Sequence, residues 1–372
     1  MSTVKRIAEE VTQGLNQVLP HLNKPVVRKL SLAIGAMIEG QTPNTVELSN
    51  LLPLNTERQD IREQWLRRLL KSPALCCEMV MAPFAQEALR HAGQQGQVIL
   101  LSMDQTDLGD RMAVLMITVR MGDRSLPLAW VAEAGAANIG FDKQKILLDC
   151  VLAWIPDGAK VMLLADQFYP SIGLFAWLNV HAWHYRLRLK GNLLADPGVG
   201  DETTTGELAR DVTERYLPNV RLFGQGAVMT NIGILHEAGH PEPWIIAMDC
   251  PPTRAAVLDY GARWAIEPTF SDFKSRGFQL EDSQLEHADR PGTVDIDHGI
   301  SHAWVRPDWS GRCLATSDTA GKKTNAQTDL KHWSFKKLRR SMVSWFTRGL
   351  RYLKRCLQND LPLPSFSVVL RN

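Results

Sequence analysis

Apolar residues recur at helical spacing through Val26–Ile38, Thr45–Leu52 and Ile61–Leu70, the pattern of helices with one buried face. Pro25, Gly40, Pro43, Pro53 and Pro73 punctuate them, so residues 1 to about 95 read as a helical N-terminal domain. From Gln97 the pattern changes to that of strands. Val98–Met103 is a short apolar run that closes at Asp104. Ala113–Arg120 and Leu126–Ala132 flank a Met121–Ser125 turn containing Gly122 and Asp123, which predicts a hairpin. Lys143–Ile155 is an amphipathic helix, Lys160–Ala165 a second buried strand that closes at Asp166, Ile172–Trp183 a helix and Tyr185–Lys190 a strand.

Three antiparallel-type strands followed by helix, strand, helix and strand predict an α/β domain of ribonuclease H-like layout, a mixed sheet with flanking helices, over residues 96–290. A β-rich insertion interrupts it at about 191–250, where Gly191, Pro197, Gly198 and Gly200 precede the apolar runs Val220–Phe223, Ala227–Leu235 and Trp244–Met248. Helical character returns over Ala255–Phe278. Residues 291–320 read as irregular and 321–372 as a basic helical C-terminal region, with no acidic residue in Lys331–Arg355.

Composition narrows the class only a little. A chain of 372 residues accommodates two or three domains with proper cores. With 45% hydrophobic and 22% charged residues it has an ordinary globular profile. A net charge of +2 does not announce a nucleic-acid partner, so local charge must carry that argument. The six cysteines form no C-x-x-C pair, which argues against a zinc site or disulfide framework and for reduced thiols. MSTVKRIAEEV is not a signal peptide, and no apolar run approaches the ~18 residues of a membrane span. A soluble cytoplasmic protein is expected.

The candidate chemistry lies in acidic residues. Asp104 and Asp166 each close an apolar strand, which holds a carboxylate rigidly at a sheet edge. If the strands are neighbours, both carboxylates enter one pocket and repel unless a cation neutralises them. Oxygen-only ligands with room for phosphate favour magnesium or manganese. Either aspartate alone is more simply a loop or cap residue. In LDYGARWAIEPTFSDFKSRGF, Tyr260, Arg263, Glu267 and Lys274 fall at about 0°, 300°, 340° and 320° around an α-helix, so one stripe carries an aromatic hydroxyl, two cations and a carboxylate. Ala262, Ile266, Phe270 and Phe273 form a separate apolar face. The plain alternative is a surface stripe with an Arg263–Glu267 pair, and spacing alone leaves both open. Likewise Arg62, Arg67, Arg68 and Lys71 on a short amphipathic helix suit either phosphate contact or a solvated face.

Here the sequence resembles a family. The pattern Y-x2-R-x3-E-x6-K, the order Asp104, Asp166, Glu267, the segment LFAWLNVHAWHYRLRLKGN and the β-rich insertion are together similar to the insertion-sequence-four family of transposases, over about residues 30–290. The resemblance implies DNA cleavage at the ends of a mobile element and strand transfer into target DNA, by one metal-dependent site. It implies that Asp104, Asp166 and Glu267 hold two divalent metals, and that Tyr260, Arg263 and Lys274 grip phosphates near the element end. Arg67 and Arg68 are then expected to help bind double-stranded DNA, with a homodimer assembled on paired ends in the bacterial cytoplasm and nucleoid. Two positions depart from the pattern. Gln167 stands where the family usually has an arginine, and Pro268 after Glu267 is expected to kink or restart the helix before Lys274.

Other residues rank lower. Asp107 and Asp123 read as turn residues. Asp295, Asp297, His298 and His302 lie in a poor helix with no activating glutamate between the histidines, which argues against zinc. Trp130, Trp154, Trp177 and Trp183 read as core, and Trp244 as core with base stacking the lesser alternative. Three functions remain: transposase, a DNA-binding relic that no longer cuts and competes with intact enzyme, and a nuclease that cuts without joining.

Pro291–Arg312 has the wrong texture for its place. In the resembling family an apolar helix follows the segment that corresponds to His287–Arg290, whereas this stretch is charged, holds Gly and Pro, and has no helical period. Codons for Val294–His302 read one base later can spell Leu-Ile-Leu-Ile-Met-Ala-Leu-Ala-Met, and family-like texture resumes by about Lys322. We therefore expect a frameshift here with a compensating shift downstream, and a core deprived of one packed helix. The gene's nucleotide sequence checks this: base-shifted codons should encode an apolar helix, and if they do not the idea fails.

Overall fold

The computed structural model describes residues 2–198, 201–224, 228–236, 241–274, 277–282, 345–364 and 366. Pro291–Arg312, the His298 and His302 region and most of the basic tail lie outside the described residues.

The chain begins with helices whose starts are set by side-chain caps. In α1 (Thr3–Val18) the Ser2 hydroxyl accepts from Lys5 N, in α2 (Lys24–Gly40) Asn23 accepts from Val26 N with Pro25 in the first turn, and in α3 (Thr45–Leu51) Asn44 accepts from the Val46 and Glu47 amides. Helices α1 and α2 pack closely because Gly35 has no side chain: a Cβ there would stand 2.8 Å from the Val4 carbonyl. The helix α4 (Gln59–Leu70) buries Leu66 and Leu69 and leaves Arg67 and Arg68 exposed. The next helix, α5 (Cys77–Ala92), packs on the sheet that follows, so apolar packing is continuous from the first helices into the sheet.

That sheet has ten strands among the described residues: β1 (Ile99–Leu108), β2 (Met112–Met121), β3 (Arg124–Ala134), β4 (Val161–Ala165), β5 (His184–Arg188), β6 (Leu194–Asp196), β7 (Thr203–Thr204), β8 (Glu214–Leu222), β9 (Val228–Leu235) and β10 (Trp244–Met248). They lie in the order β3-β2-β1-β4-β5-β10-β9-β8-β6-β7. The β1–β4 and β4–β5 pairs are parallel and the other pairs antiparallel. The architecture is therefore a mixed α/β sheet with flanking helices, among them α6 (Phe141–Leu152) against β2 and β3 and α7 (Ile172–Val180) against α6 and β9.

The β-rich stretch after residue 190 joins the same sheet, because β10 pairs with β5 and carries it onward. Two expectations about the strands change. The β2–β3 turn is only Gly122–Asp123, with Gly122 at φ 64°, a left-handed angle that glycine adopts without a side-chain clash. Strand β1 does not stop at Asp104 but runs to Leu108, held by its antiparallel partner β2. Asp107 is accordingly an exposed strand residue and not a turn residue.

Short helices complete the fold: α8 (Thr205–Ala209), α9 (Arg254–Leu258) and α10 (Glu267–Phe273). The last helix, α11 (Trp345–Gln358), buries Phe346, Leu350, Leu353 and Cys356 and exposes Arg348, Arg351 and Arg355. It is tied to the N-terminal helices, since Arg6 donates to the Leu357 carbonyl and to Asp360, and Lys354 donates to Gln41. No helix among the described residues is long and apolar enough to cross a membrane.

Arg62 belongs to the fold and not to a basic face. Its guanidinium donates to the carbonyls of Ser49 (2.9 Å), Asn50 (2.8 Å) and Thr56 (3.1 Å), and to that of Leu52, so it satisfies the open C-terminal end of α3. Arg62→Ala should lower the free energy of unfolding by about 1–3 kcal/mol, measured by urea denaturation, while Arg68→Ala on the exposed face should change it little.

Candidate active site

Strand register builds the centre of the site. The parallel β1–β4 ladder pairs Met103 with Ala165, so the next residues, Asp104 and Asp166, come side by side. Strand β4 ends at Ala165, which leaves Asp166 at its C-terminal end, whereas Asp104 stays locked in the β1–β2 ladder opposite Met116. Both carboxylates are largely withdrawn from water, with side-chain exposures of 17% for Asp104 and 20% for Asp166.

Five groups compensate this pair. The Asp104 Oδ1 atom accepts from the Gln105 amide (3.0 Å) and the Tyr169 hydroxyl (3.3 Å), and Oδ2 accepts from Arg263 Nη1. Asp166 Oδ1 accepts from the Tyr260 hydroxyl (3.1 Å), and Arg188 Nη1 lies 3.9 Å away. Burial pushes the Asp104 carboxyl above its ordinary range; Arg263 opposes the rise, and the neighbouring Asp166 adds to it. Burial likewise raises the Tyr169 and Tyr260 phenols, so both remain protonated donors. Burial works against the Arg263 charge, but Tyr260, Asp104, Asp166 and Glu267 together raise its pKa.

The segment that delivers Tyr260, Arg263 and Glu267 is not the single α-helix expected. Five residues of α9 give way to a 3₁₀ segment over Asp259–Ile266, and α-helical geometry restarts at Glu267. Tyr260 and Arg263 still share a face, because residues three apart eclipse in a 3₁₀ helix. Pro268 sits in the first turn of α10, where the missing N–H breaks no bond; the restart thus falls before the proline and not between Glu267 and Lys274. Arg263 Nη2 reaches Glu267 Oε1 at 3.8 Å, and the Glu267 side chain is 51% exposed. Lys274 stands at the end of α10 and pairs with Glu281 at 3.1 Å, away from this cluster.

The structure therefore brings Asp104 and Asp166 together, joins Glu267 to them through Arg263, and leaves Lys274, Arg67 and Arg68 elsewhere; Arg67 pairs with Glu63 at 3.3 Å. Among the described residues no group of three or more His, Cys, Asp or Glu side chains meets the spacing of a metal site. Tyr260 is 1% exposed, with its ring against Trp244 at 5.3 Å and its hydroxyl donating to Asp166. Trp244 is core as well, 6% exposed between Tyr260 and Trp264, which removes base stacking. Trp130, Trp154, Trp177 and Trp183 are buried as expected.

Sequence reasoning missed Tyr169, Arg186 and Arg188. A signal for the arginines existed: in HYRLRLK every second residue is basic, which puts His184, Arg186 and Arg188 on one face of β5. Tyr169 had no such signal, since it reaches Asp104 only through the turn after Asp166.

Residues 143–290 match the family model of the transposase DDE domain. The matched span contains Asp166, Tyr260, Arg263, Glu267 and Lys274 and begins after Asp104. The match supports a transposase function. Among curated proteins nothing matches. Two solved structures, the catalytic domain of human endonuclease V and human ENDOV, are each 13% identical to the chain and cover 60% of it. They cover 96% and 97% of their own lengths, at TM-scores of 0.27 and 0.26, values at which the likeness has no weight for fold or activity.

The raised Asp104 carboxyl makes stability depend on pH. Its folded pKa lies above the unfolded one, so its contribution is fully present below the unfolded value and is lost as pH rises through the folded value. Asp104→Asn, which never ionises, should melt higher than the natural protein at neutral pH. The difference should vanish as pH falls toward about 4. Thermal melts at both pH values check this.

Proposed function

We propose that this protein is a transposase that cleaves DNA at the ends of an insertion sequence and transfers the strands into target DNA, with Asp104, Asp166 and Glu267 as its catalytic carboxylates. The observation that carries the reading is the side-by-side setting of Asp104 and Asp166 at the end of a parallel strand pair, beside the residues matched by the transposase DDE domain.

The residues fit a divalent cation. Two desolvated carboxylates demand positive charge, and the Arg263 guanidinium supplies it in this structure. The donors are oxygens only, the set that magnesium and manganese prefer. Asp104, Asp166 and Glu267 would hold two such ions, which when bound supply activation of the attacking oxygen and stabilisation of the leaving one at phosphorus. The chain's own groups set up that chemistry. Tyr260 and Tyr169 fix the rotamers of Asp166 and Asp104 by donating to them. Arg263 and Lys274 contact phosphates of the element end by exchanging their present carboxylate partners, Asp104 and Glu281, for phosphate oxygens. Gln167 brings no charge to Asp166, and Arg188 on β5 provides the nearby cation. On the exposed face of α4, Arg67 and Arg68 bind the DNA backbone, and two copies assemble on paired ends.

The texture of Pro291–Arg312 favours a second reading, in which this copy still binds element ends but no longer cuts them and so competes with intact enzyme.

A supercoiled plasmid bearing the DNA that flanks the gene tests both. The natural protein with magnesium should give cleaved ends and strand-transfer products, and binding should weaken steeply with salt. Asp104→Ala, Asp166→Ala and Glu267→Ala should each abolish cutting while DNA binding persists. Substantial magnesium-dependent cleavage by any one of them overturns the triad, and binding without cutting by the natural protein selects the relic.

A further inference from the structure

Arg186 is a charged side chain that the chemistry above leaves unused, yet it is only 5% exposed. It sits in the middle of β5, and each of its nitrogens has an acceptor. Nε donates to the Ala256 carbonyl (2.9 Å), Nη1 to the Tyr185 carbonyl (2.8 Å) and to Asp249 Oδ1 (3.2 Å), and Nη2 to Asp259 Oδ2 (3.3 Å). Asp249, just past the end of β10, is held in turn by His184 Nδ1 at 2.6 Å. None of these partners is a candidate catalytic carboxylate.

Their places in the chain are informative. Ala256 lies in α9 and Asp259 opens the 3₁₀ segment, one residue before Tyr260. One planar guanidinium thus bridges the sheet, through β5 and the end of β10, to the root of the segment that carries Tyr260, Arg263 and Glu267. That segment needs a fastening. It spans an α-helix, a 3₁₀ helix and a second α-helix within twenty residues, Arg254–Phe273, and its small apolar cluster of Tyr260, Trp244, Ala256 and Val257 is greasy and non-directional. Hydrogen bonds from a rigid fork fix rotation and register in a way that apolar contact does not. Two residues along the same face of β5, Arg188 approaches Asp166, so one strand sets both the catalytic carboxylate's neighbour and the segment that answers it.

We propose that Arg186 is a positioning residue: by joining β5 to Ala256 and Asp259 it sets the register of the 254–267 segment so that Tyr260 meets Asp166 and Arg263 meets Asp104 together. The proposal rests on the reading of Asp104 and Asp166 as catalytic, and acts through Tyr260 and Arg263 without touching DNA. A buried ion pair of this kind contributes specificity of arrangement more than net stability, since apolar side chains of similar volume often replace such pairs without loss of stability.

The test uses the full chain with Arg186→Lys and with the double variant Arg186→Met, Asp259→Leu, which removes both ends of the link. Three readouts are needed: thermal unfolding, near-ultraviolet circular dichroism of the Trp244–Tyr260–Trp264 group, and cleavage of the plasmid described above. Both variants should melt cooperatively within a few degrees of the natural protein, with a weakened aromatic signal. Cleavage should fall by up to about a hundredfold with KM for DNA little changed, the scale of a misplaced catalytic group. Arg186→Lys matching the natural protein in spectrum and cleavage overturns the proposal, because charge alone would then suffice. A double variant with intact spectrum and cleavage overturns it too, and if the double variant does not fold, Arg186→Lys decides. Absence of cleavage by the natural protein refutes the functional reading instead, and the spectra still decide the positioning.

Discussion

Two carboxylates forced together by strand register are the constraint around which the rest of the molecule is arranged. Once β1 and β4 pair in parallel with Met103 opposite Ala165, Asp104 and Asp166 have no freedom to part. Like charges a few ångströms apart repel by about 4 kcal/mol at an effective dielectric of about 20, a large share of the ~5–15 kcal/mol that stabilises a domain. Compensation is therefore obligatory, and four side chains supply it: Tyr169 from the turn after β4, Arg188 from β5, and Tyr260 and Arg263 from the 3₁₀ segment.

The same constraint explains why the sheet continues past β5. A segment crossing the sheet to reach Asp104 and Asp166 needs a floor, and β10 with β9 provides it: Trp244, Ile246 and Met248 of β10 and Leu235 of β9 pack with Ala256, Val257 and Tyr260. Gly233 on β9 marks how close the approach is, since a Cβ there would stand 2.3 Å from a Val257 methyl carbon. The stretch that reads as an insertion along the chain is in space the support of the segment that carries Tyr260, Arg263 and Glu267.

Much of this was legible in the sequence, for identifiable reasons. Helices α2 and α4 and strands β2 to β5 follow from periodicity because each buries one face or both in a single core. Asp104 and Asp166 stood out because apolar runs precede them. The continuation of β1 beyond Asp104 was not legible, because DQTDL is polar and its strand geometry comes from pairing with β2 and not from its own residues. The long 3₁₀ segment was hidden as well: an i, i+3 spacing puts Tyr260 and Arg263 on one face in either helix type. Lys274 falls outside this group because α10 ends at Phe273, and it pairs there with Glu281. Arg62 illustrates the opposite error, a cation that spacing assigns to a surface stripe and that the fold spends on the carbonyls of Ser49, Asn50 and Thr56.

The account stands or falls on whether Asp104, Asp166 and Glu267 together hold a divalent cation. Ferrous iron substituted for magnesium in the full-length protein, with ascorbate and peroxide, generates radicals that cut the polypeptide next to the bound ion. Scission should cluster at residues 104, 166 and 267, compete away with excess magnesium, and disappear in Asp104→Ala. Scission at unrelated positions, or none at these three, would contradict the account.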